Sequence, residues 1–197
     1  MPAVLLIVFS FLLGGIPFAL LLVAIVLRRD IRKSGSGNVG ATNAARHFKG
    51  KARLGAFVGI FVLDAGKGYI AAGVLPQVLD LTRDPWPAAA GLAAVLGHVF
   101  TPYLKTMGGK GVATTIGVFV ALEPVATGIA LAALALVFAL TRTVALGSIA
   151  LGVTLPIATY IHGTAGNSVL ILTVLLAVLV VLRHTSNIRR ILRGTEP

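Results

Sequence analysis

Residues 1–33 read MPAVLLIVFSFLLGGIPFALLLVAIVLRRDIRK. No charged side chain occurs from Pro2 to Leu27, and then Arg28, Arg29, Arg32 and Lys33 crowd together. A helix over 3–27 would be about 38 Å long at 1.5 Å per residue, enough for the roughly 30 Å hydrocarbon core of a bilayer. No basic cluster precedes the run, and it is too long for the apolar part of a signal peptide, so a membrane span is expected rather than a cleaved leader. The rest of the chain agrees with that opening. Of 197 residues, 57% are hydrophobic and only 12% charged, against about 25% charged in an ordinary soluble domain. Mean hydropathy is +0.97. So few polar groups cannot cover a soluble globule, and a disordered basic tail would be poor in apolar residues.

Six further apolar segments follow, at 54–75, 87–104, 111–122, 124–140, 144–161 and 168–182. The expected fold class is an all-α integral membrane protein, a seven-helix bundle forming a single domain over 1–197. Alternating the loops between two sides places fifteen of the 17 Lys and Arg on one side and only Arg83 on the other, with Lys67 inside a span. Positive charge marks the cytoplasmic side, so the N-terminus is expected outside and the C-terminus in the cytoplasm. Fusing the fourth and fifth segments would send the four Arg of the tail outside, which disfavours a six-span count. Cysteine is absent, which excludes thiolate catalysis and Cys-ligated zinc. The four His are scattered and carboxylates few, so no metal site and no cofactor are expected. The net charge of +11 lacks the aromatic interleaving of a nucleic-acid surface, so no nucleic-acid partner is expected. It reads instead as positive-inside loops together with sites for anionic ligands.

Three polar segments lie on the basic side. The first is SGSGNVGATNAAR at 34–46. Its glycines allow backbone N–H groups to approach a ligand, Ser, Thr and Asn add hydrogen-bonding groups, and Arg46 offers a fork for phosphate. It contains a formal G-x-G-x-x-G at Gly35, Gly37 and Gly40, but a membrane segment precedes it instead of the strand that a dinucleotide fold needs. The second is GHVFTPYLKTMGGKGVAT at 97–114. Gly-Gly-Lys-Gly opening a helix brings N–H groups, a positive dipole end and the Lys110 ammonium together. Leu104 stands where a Walker A glycine would fall. The third is RHTSNIRRILRGTE at 183–196. Ile188, Ile191 and Leu192 predict an interfacial amphipathic helix, with His184 and Asn187 three apart on one face. In the second apolar segment Asp64 and Lys67 are spaced to pair, and intramembrane charges face protein interior or a wet cavity. There structural pairing and ligand contact weigh equally. Gly55 and Gly59 form a GxxxG expected to pack helices.

At these residues the chain resembles the PlsY family of bacterial membrane acyl-phosphate:glycerol-3-phosphate acyltransferases. The resemblance spans nearly the whole chain, through SGNVGATNAAR at 36–46, GHVFTPYLKTMGGKGVAT at 97–114, the Arg-His-to-Glu pattern at 183–196 and LDAGKG at 63–68. Two departures stand out: Met107 where the family often has Lys, and Thr101 where it usually has Pro, with Lys105 a candidate replacement for the missing cation. The resemblance implies a compact seven-helix bundle in the bacterial cytoplasmic (inner) membrane, with its motifs facing the cytoplasm. The implied reaction moves a fatty acyl group from acyl phosphate to the 1-hydroxyl of sn-glycerol 3-phosphate, giving lysophosphatidic acid and phosphate, the first step of phospholipid biosynthesis. An upstream enzyme producing acyl phosphate would be a natural partner. In keeping with that donor, none of His47, His98, His162 and His184 is followed by Asp five residues later, the pair that coenzyme-A-type glycerolipid acyltransferases carry.

By resemblance and chemistry together, Ser36, Arg46, Lys110, His184 and Asn187 are expected on glycerol 3-phosphate, with His184, Asn187 and Lys110 expected to be catalytic. Gly37, Asn38, Gly40, Thr42 and Asn43 are expected on the acyl-phosphate head. Lys105, His98, Asp64 and Lys67 stand in support. Acyl phosphate carries a good leaving group, and no Ser-His-Asp triad is visible, so direct attack by the substrate hydroxyl is the simpler expectation. His184 and the glycerol phosphate dianion are rival bases. The alternative class is a transporter of a phosphate-bearing anion, which would also use basic pockets and broken helices. A lipid-anchored structural bundle accounts for the tail but not for the first two motifs.

Overall fold

The structure is a computed structural model that describes residues 1–105, 108–163 and 165–196. The described residues are helical, with no strand among them. Helix α1 (Pro2–Gly15) and α2 (Phe18–Leu27) form the first apolar segment. The break between them follows from Pro17, which lacks an N–H and pushes Ile16 out of the helical region; Ile16 has ψ 117°. A 3-10 turn (Ile31–Lys33) and the short α3 (Ala41–Ala45) bracket the first polar segment. Helix α4 (Gly50–Tyr69) continues through a π-helical stretch (Ile70–Val74) into α5 (Leu75–Val78), where Pro76 sits in the first turn. Then come α6 (Trp86–Val99), α7 (Val112–Leu122), α8 (Pro124–Thr141), α9 (Val144–His162), α10 (Asn167–Arg183) and α11 (Thr185–Leu192).

All seven expected apolar segments are helical, but not equally long. Pro2–Leu27, Gly50–Val78, Pro124–Thr141 and Val144–His162 are long and apolar enough to cross a membrane, and α10 with α11 adds a fifth if this pair, bent by 49°, is taken as one span. Helices α6 and α7 have 14 and 11 residues, about 21 and 16 Å of helix, short of a bilayer core. The segment expected as 87–104 stops being helical at Val99. Beyond it, Thr101 Oγ1 donates to the Gly15 carbonyl at 2.6 Å and the Tyr103 hydroxyl donates to that of Leu12 at 3.2 Å, so the chain runs along α1.

Helix α1 packs on α6, α4 on α7, α8 on α9 and α9 on α10. Two of these contacts are made backbone to backbone. A methyl group on Gly14 or Gly97 would strike the Ala94 or Phe11 carbonyl across α1 and α6, and one on Gly68 or Gly117 would strike Thr114 or Ala65 across α4 and α7. The main core joins Val95, Val99, Phe119, Leu151, Leu155, Leu172 and Leu176. A second cluster, with Ala19, Val23, Ile31, Val39, Ala44 and Ile60, seats the first polar segment on α2 and α4. Ile25, Leu136, Leu140 and Ile161 remain largely exposed. Such an outer surface would drive association in water but suits hydrocarbon.

Among the described residues the expected GxxxG contact is absent. Nothing lies within 4 Å of a methyl group placed on Gly55 or Gly59. They line a shallow apolar groove with Leu22, Phe48 and Leu63. The spacing is right, but no described helix faces it closely.

Candidate functional site

The three polar segments meet at one end of the bundle, around a cavity of about 460 Å³. The first contributes Ser36, Gly37 and Asn38, with Arg32 just before it. The second contributes Gly108 and Lys110, and the third Leu182, Arg183, Thr185, Ser186 and Arg190. Four cations on one wall set make an anion site by Coulomb attraction.

The first segment is shaped by Asn43. Its side chain is buried. It accepts the Ser36 N–H at 3.1 Å and donates toward the Ile31, Ser34 and Asn38 carbonyls at 3.0–3.2 Å. Gly35 adopts φ +60°, and a methyl group there would meet the Asn43 amide, so glycine is required on both counts. Asn43, expected on the acyl-phosphate head, has its amide taken up in folding the loop. Gly40 caps α3 and Thr42 lies half-buried within it; neither lines the cavity. Asn38 does line it, while donating to the Gly108 carbonyl at 3.5 Å. Arg32, which the sequence reading did not single out, is oriented by Asp30 through bonds of 2.9 and 2.8 Å. The signal was an Asp two residues before an Arg.

The second segment is a turn whose N–H groups were expected to cradle an anion. Two of them are already engaged: Gly108 donates to the Val99 carbonyl at 2.8 Å and Gly109 to that of His98 at 3.1 Å. They close the C-terminus of α6, which otherwise ends in bare carbonyls. The anion-facing group left by this turn is the Lys110 ammonium. Gly111, at φ +87°, caps α7 directly afterwards. Lys105 is exposed and does not line the cavity. Met107, the departure it was meant to offset, lies outside the described residues.

The third segment supplies the partner of Lys110. The ammonium donates to Asn187 Oδ1, and Asn187 Nδ2 donates to Glu196. Both ends of this buried amide are therefore engaged by protein. Asn187, expected on glycerol 3-phosphate, thus links the Lys110 ammonium to Glu196. Burial lowers the Lys110 pKa to about 8, with Arg190, Arg183 and Arg46 adding repulsion and Glu196 opposing it. Burial raises the Glu196 carboxyl, but hydrogen bonds from Arg190 and Asn187 outweigh this and hold it below its ordinary value. His184 is buried, with Nδ1 2.7 Å from the Val180 carbonyl. Burial and the Lys110 charge lower its pKa to about 4. It does not line the cavity, nor does Arg46, which ends α3 within electrostatic reach of Lys110. Arg183, Arg190 and Glu196 belonged to the quoted third motif but were not assigned roles from sequence. Arg183 donates to the Gly108 and Gly109 carbonyls at 3.3 and 3.2 Å, joining the third segment to the second. The expected amphipathic helix is α11, with Asn187 buried and Leu192 exposed.

Of the supporting residues, Asp64 and Lys67 pair at 2.8 Å, both buried. The Lys67 ammonium also donates to the Ile16 carbonyl at 3.0 Å and lies over the Phe18 ring. The pair thus serves the carbonyl exposed where Pro17 breaks the first helix, as buried charges in a membrane segment must find partners. His98 approaches Asp64 at 3.7 Å and likewise sits behind the cavity.

The glycerol-3-phosphate acyltransferase family model matches residues 4–194. A glycerol-3-phosphate acyltransferase of Geobacter sulfurreducens is 42% identical over 95% of this chain and 92% of its own length. One of Sinorhizobium fredii is 42% identical over all of this chain and 92% of its own. Among solved structures, the glycerol 3-phosphate form of PlsY, an integral membrane glycerol 3-phosphate acyltransferase, superposes with TM-score 0.90 at 34% identity, covering 100% of this chain and 95% of that one. Its lysophosphatidic acid form gives 0.87 at 32% over the same shares. With the three motifs gathered around one cationic cavity and relatives matching along almost the entire length, the chain belongs to the PlsY family of glycerol-3-phosphate acyltransferases.

Proposed function

We propose that this protein transfers a fatty acyl group from acyl phosphate to the 1-hydroxyl of sn-glycerol 3-phosphate, giving lysophosphatidic acid and phosphate, at the cytoplasmic face of the bacterial inner membrane. The observation that carries this reading is the cavity itself, where Arg32, Lys110, Arg183 and Arg190 converge from three separate segments. Both substrates are phosphates, and a four-cation site suits two anions that must approach one another. The names of the solved relatives, one in a glycerol 3-phosphate form and one in a lysophosphatidic acid form, support the acceptor and the product. Seven crossings, with the N-terminus outside and the C-terminus inside, are part of the proposal and rest on the one-sided distribution of Lys and Arg.

The acyl donor is an anhydride, so the chemistry needs little activation. The 1-hydroxyl oxygen attacks the acyl carbonyl and the carbonyl–phosphate C–O bond breaks. The electron pair leaves with phosphate, and the hydroxyl proton passes to a phosphate oxygen. Lys110, aimed by Asn187 and Glu196, neutralises charge on the phosphates as it grows. A histidine with a pKa of about 4 is a poor proton acceptor at neutral pH. The glycerol phosphate dianion is therefore the better base, and His184 serves by holding the α10–α11 corner through Val180. No acyl-enzyme is needed.

The test is purified protein in detergent with acyl phosphate and glycerol 3-phosphate. Phosphate and lysophosphatidic acid should appear together, and only when both substrates are present. Equal activity with acyl-CoA, or a trapped acyl-serine, would overturn the donor or the direct transfer.

A further inference from the structure

The turn carrying Lys110 is held by more than its own backbone. Arg183 grips the Gly108 and Gly109 carbonyls from the cavity side. On the opposite side stands the His98 imidazole, only 7% exposed and absent from the cavity wall. A methyl group added to Gly109 would collide with the His98 ring, at Nε2 and at 2.7 Å from Cε1. Across the ring, Nδ1 is 3.7 Å from Asp64 Oδ1, and Asp64 is fixed by Lys67.

We propose that His98 is a positioning residue for Lys110: its imidazole, wedged between Asp64 and the Gly109 backbone, sets the height of the glycine turn and so the place of the ammonium in the cavity. The inference rests on the acyltransferase reading above and extends it to groups inside the membrane. The mechanical path is short. Lys110 follows Gly109 directly, and its bond to Asn187 crosses from the second segment to the third, so a shift of the turn moves the ammonium against a fixed partner. A displacement of about 1 Å at a reacting centre can cost on the order of a hundredfold in rate. Asp64 and Lys67 contribute by giving His98 a rigid back wall tied to the break in the first helix through Ile16. The side chain at 98 must therefore fill space against a glycine, and position 109 must lack a Cβ.

The reciprocal fit gives the test. Gly109→Ala, His98→Ala and the double variant are purified in detergent and assayed with acyl phosphate for kcat and for KM toward glycerol 3-phosphate. Gly109→Ala should lose about a hundredfold in kcat/KM, and His98→Ala about tenfold, chiefly through KM. The double variant should recover to the level of His98→Ala, because removing the ring makes room for the methyl. Gly108→Ala is the control: its methyl meets the His98 carbonyl oxygen, which is backbone, so His98→Ala should not relieve it. Losses that simply multiply in the 98/109 double, or equal relief at 108, would overturn the proposal. Should Gly109→Ala not fold, the glycine background decides. There His98→Ala should raise KM with an unchanged melting temperature, and His98→Gln should restore most of it; an unchanged KM, or a raised KM that Gln leaves uncorrected, would overturn it. A wild-type protein inert toward both substrates would instead remove the acyltransferase reading. Relief between 98 and 109 would then be read in melting temperature.

Discussion

Lys110 is a half-buried cavity cation bonded to a neutral amide, and its ionisation should be visible in the pH dependence of the reaction. Its pKa is lowered to about 8. The charged form therefore predominates below about pH 8 and is lost above it, whereas an ordinary lysine would stay charged past pH 10. Activity should fall on an alkaline limb near pH 8, and Lys110→Arg, whatever its residual rate, should lack that limb. Lys110→Ala should lose on the order of a thousandfold in kcat/KM, comparable to removing a main transition-state donor. A wild-type profile flat to pH 10 would sink this assignment. His184→Ala tests the base. With the substrate phosphate as acceptor, single-turnover chemistry should fall by less than about tenfold, whereas loss of a general base costs about a hundred- to ten-thousandfold. The candidate site was legible only to this resolution. Residue types announced phosphate chemistry, because Gly, Asn, Lys and Arg bind anions by what they are. They could not announce which amide faces the ligand: Asn38 reaches the cavity, while Asn43 and Asn187 spend both ends on the protein.

At the scale of elements, glycine marks where helices touch, but only where something opposes it. Gly117 on α7 meets the Ala65 carbonyl of α4, whereas Gly55 on α4 meets nothing within 4 Å. Gly117→Ala should lower stability by about 1–3 kcal/mol through overpacking. Gly55→Ala should be neutral or stabilising by up to about 1 kcal/mol, through helix propensity alone. Thermal unfolding of the two variants in the same detergent separates them, and equal effects would mean that the α4–α7 contact is looser than described. The pair also explains a misreading. GxxxG is a statement about one helix, and packing is a property of two. The helices themselves were legible because each apolar residue adds its own transfer energy to a window, whatever its neighbours do. The break at Ile16 and Pro17 was not, although proline announced it, because apolar windows average over the carbonyls it frees. Lys67 and Thr101, on α4 and beyond α6, answer those carbonyls from 51 and 86 residues away.

For the whole molecule, the distribution of charge and the position of the cavity are independent observations that agree. The cavity is lined by Arg32 and by Ser36, Gly37 and Asn38, by Gly108 and Lys110, and by residues from Leu182 to Arg190, and the loops and tail that carry them hold most of the 17 Lys and Arg. The proposed orientation would serve both insertion and substrate access: it keeps the basic loops in the cytoplasm, where soluble glycerol 3-phosphate would be met. The short helices α6 and α7 are the weak point of a seven-crossing count, since neither alone spans a core of about 30 Å. Within the proposed count, their burial bears on this. Val95, Val99, Ile116, Val118 and Phe119 face protein instead of lipid, so the membrane need not match their length. The absence of cysteine makes the arrangement directly measurable. Single cysteines at Lys51, Arg142 and Arg193 should resist a membrane-impermeant thiol reagent in intact cells and react once the membrane is opened. One at Arg83 should react from outside. Labelling of Arg193→Cys in intact cells would reverse the C-terminus. Labelling at both 83 and 142 in intact cells would leave an even number of crossings among α6, α7 and α8 and so break the claim that α6 and α7 each complete one.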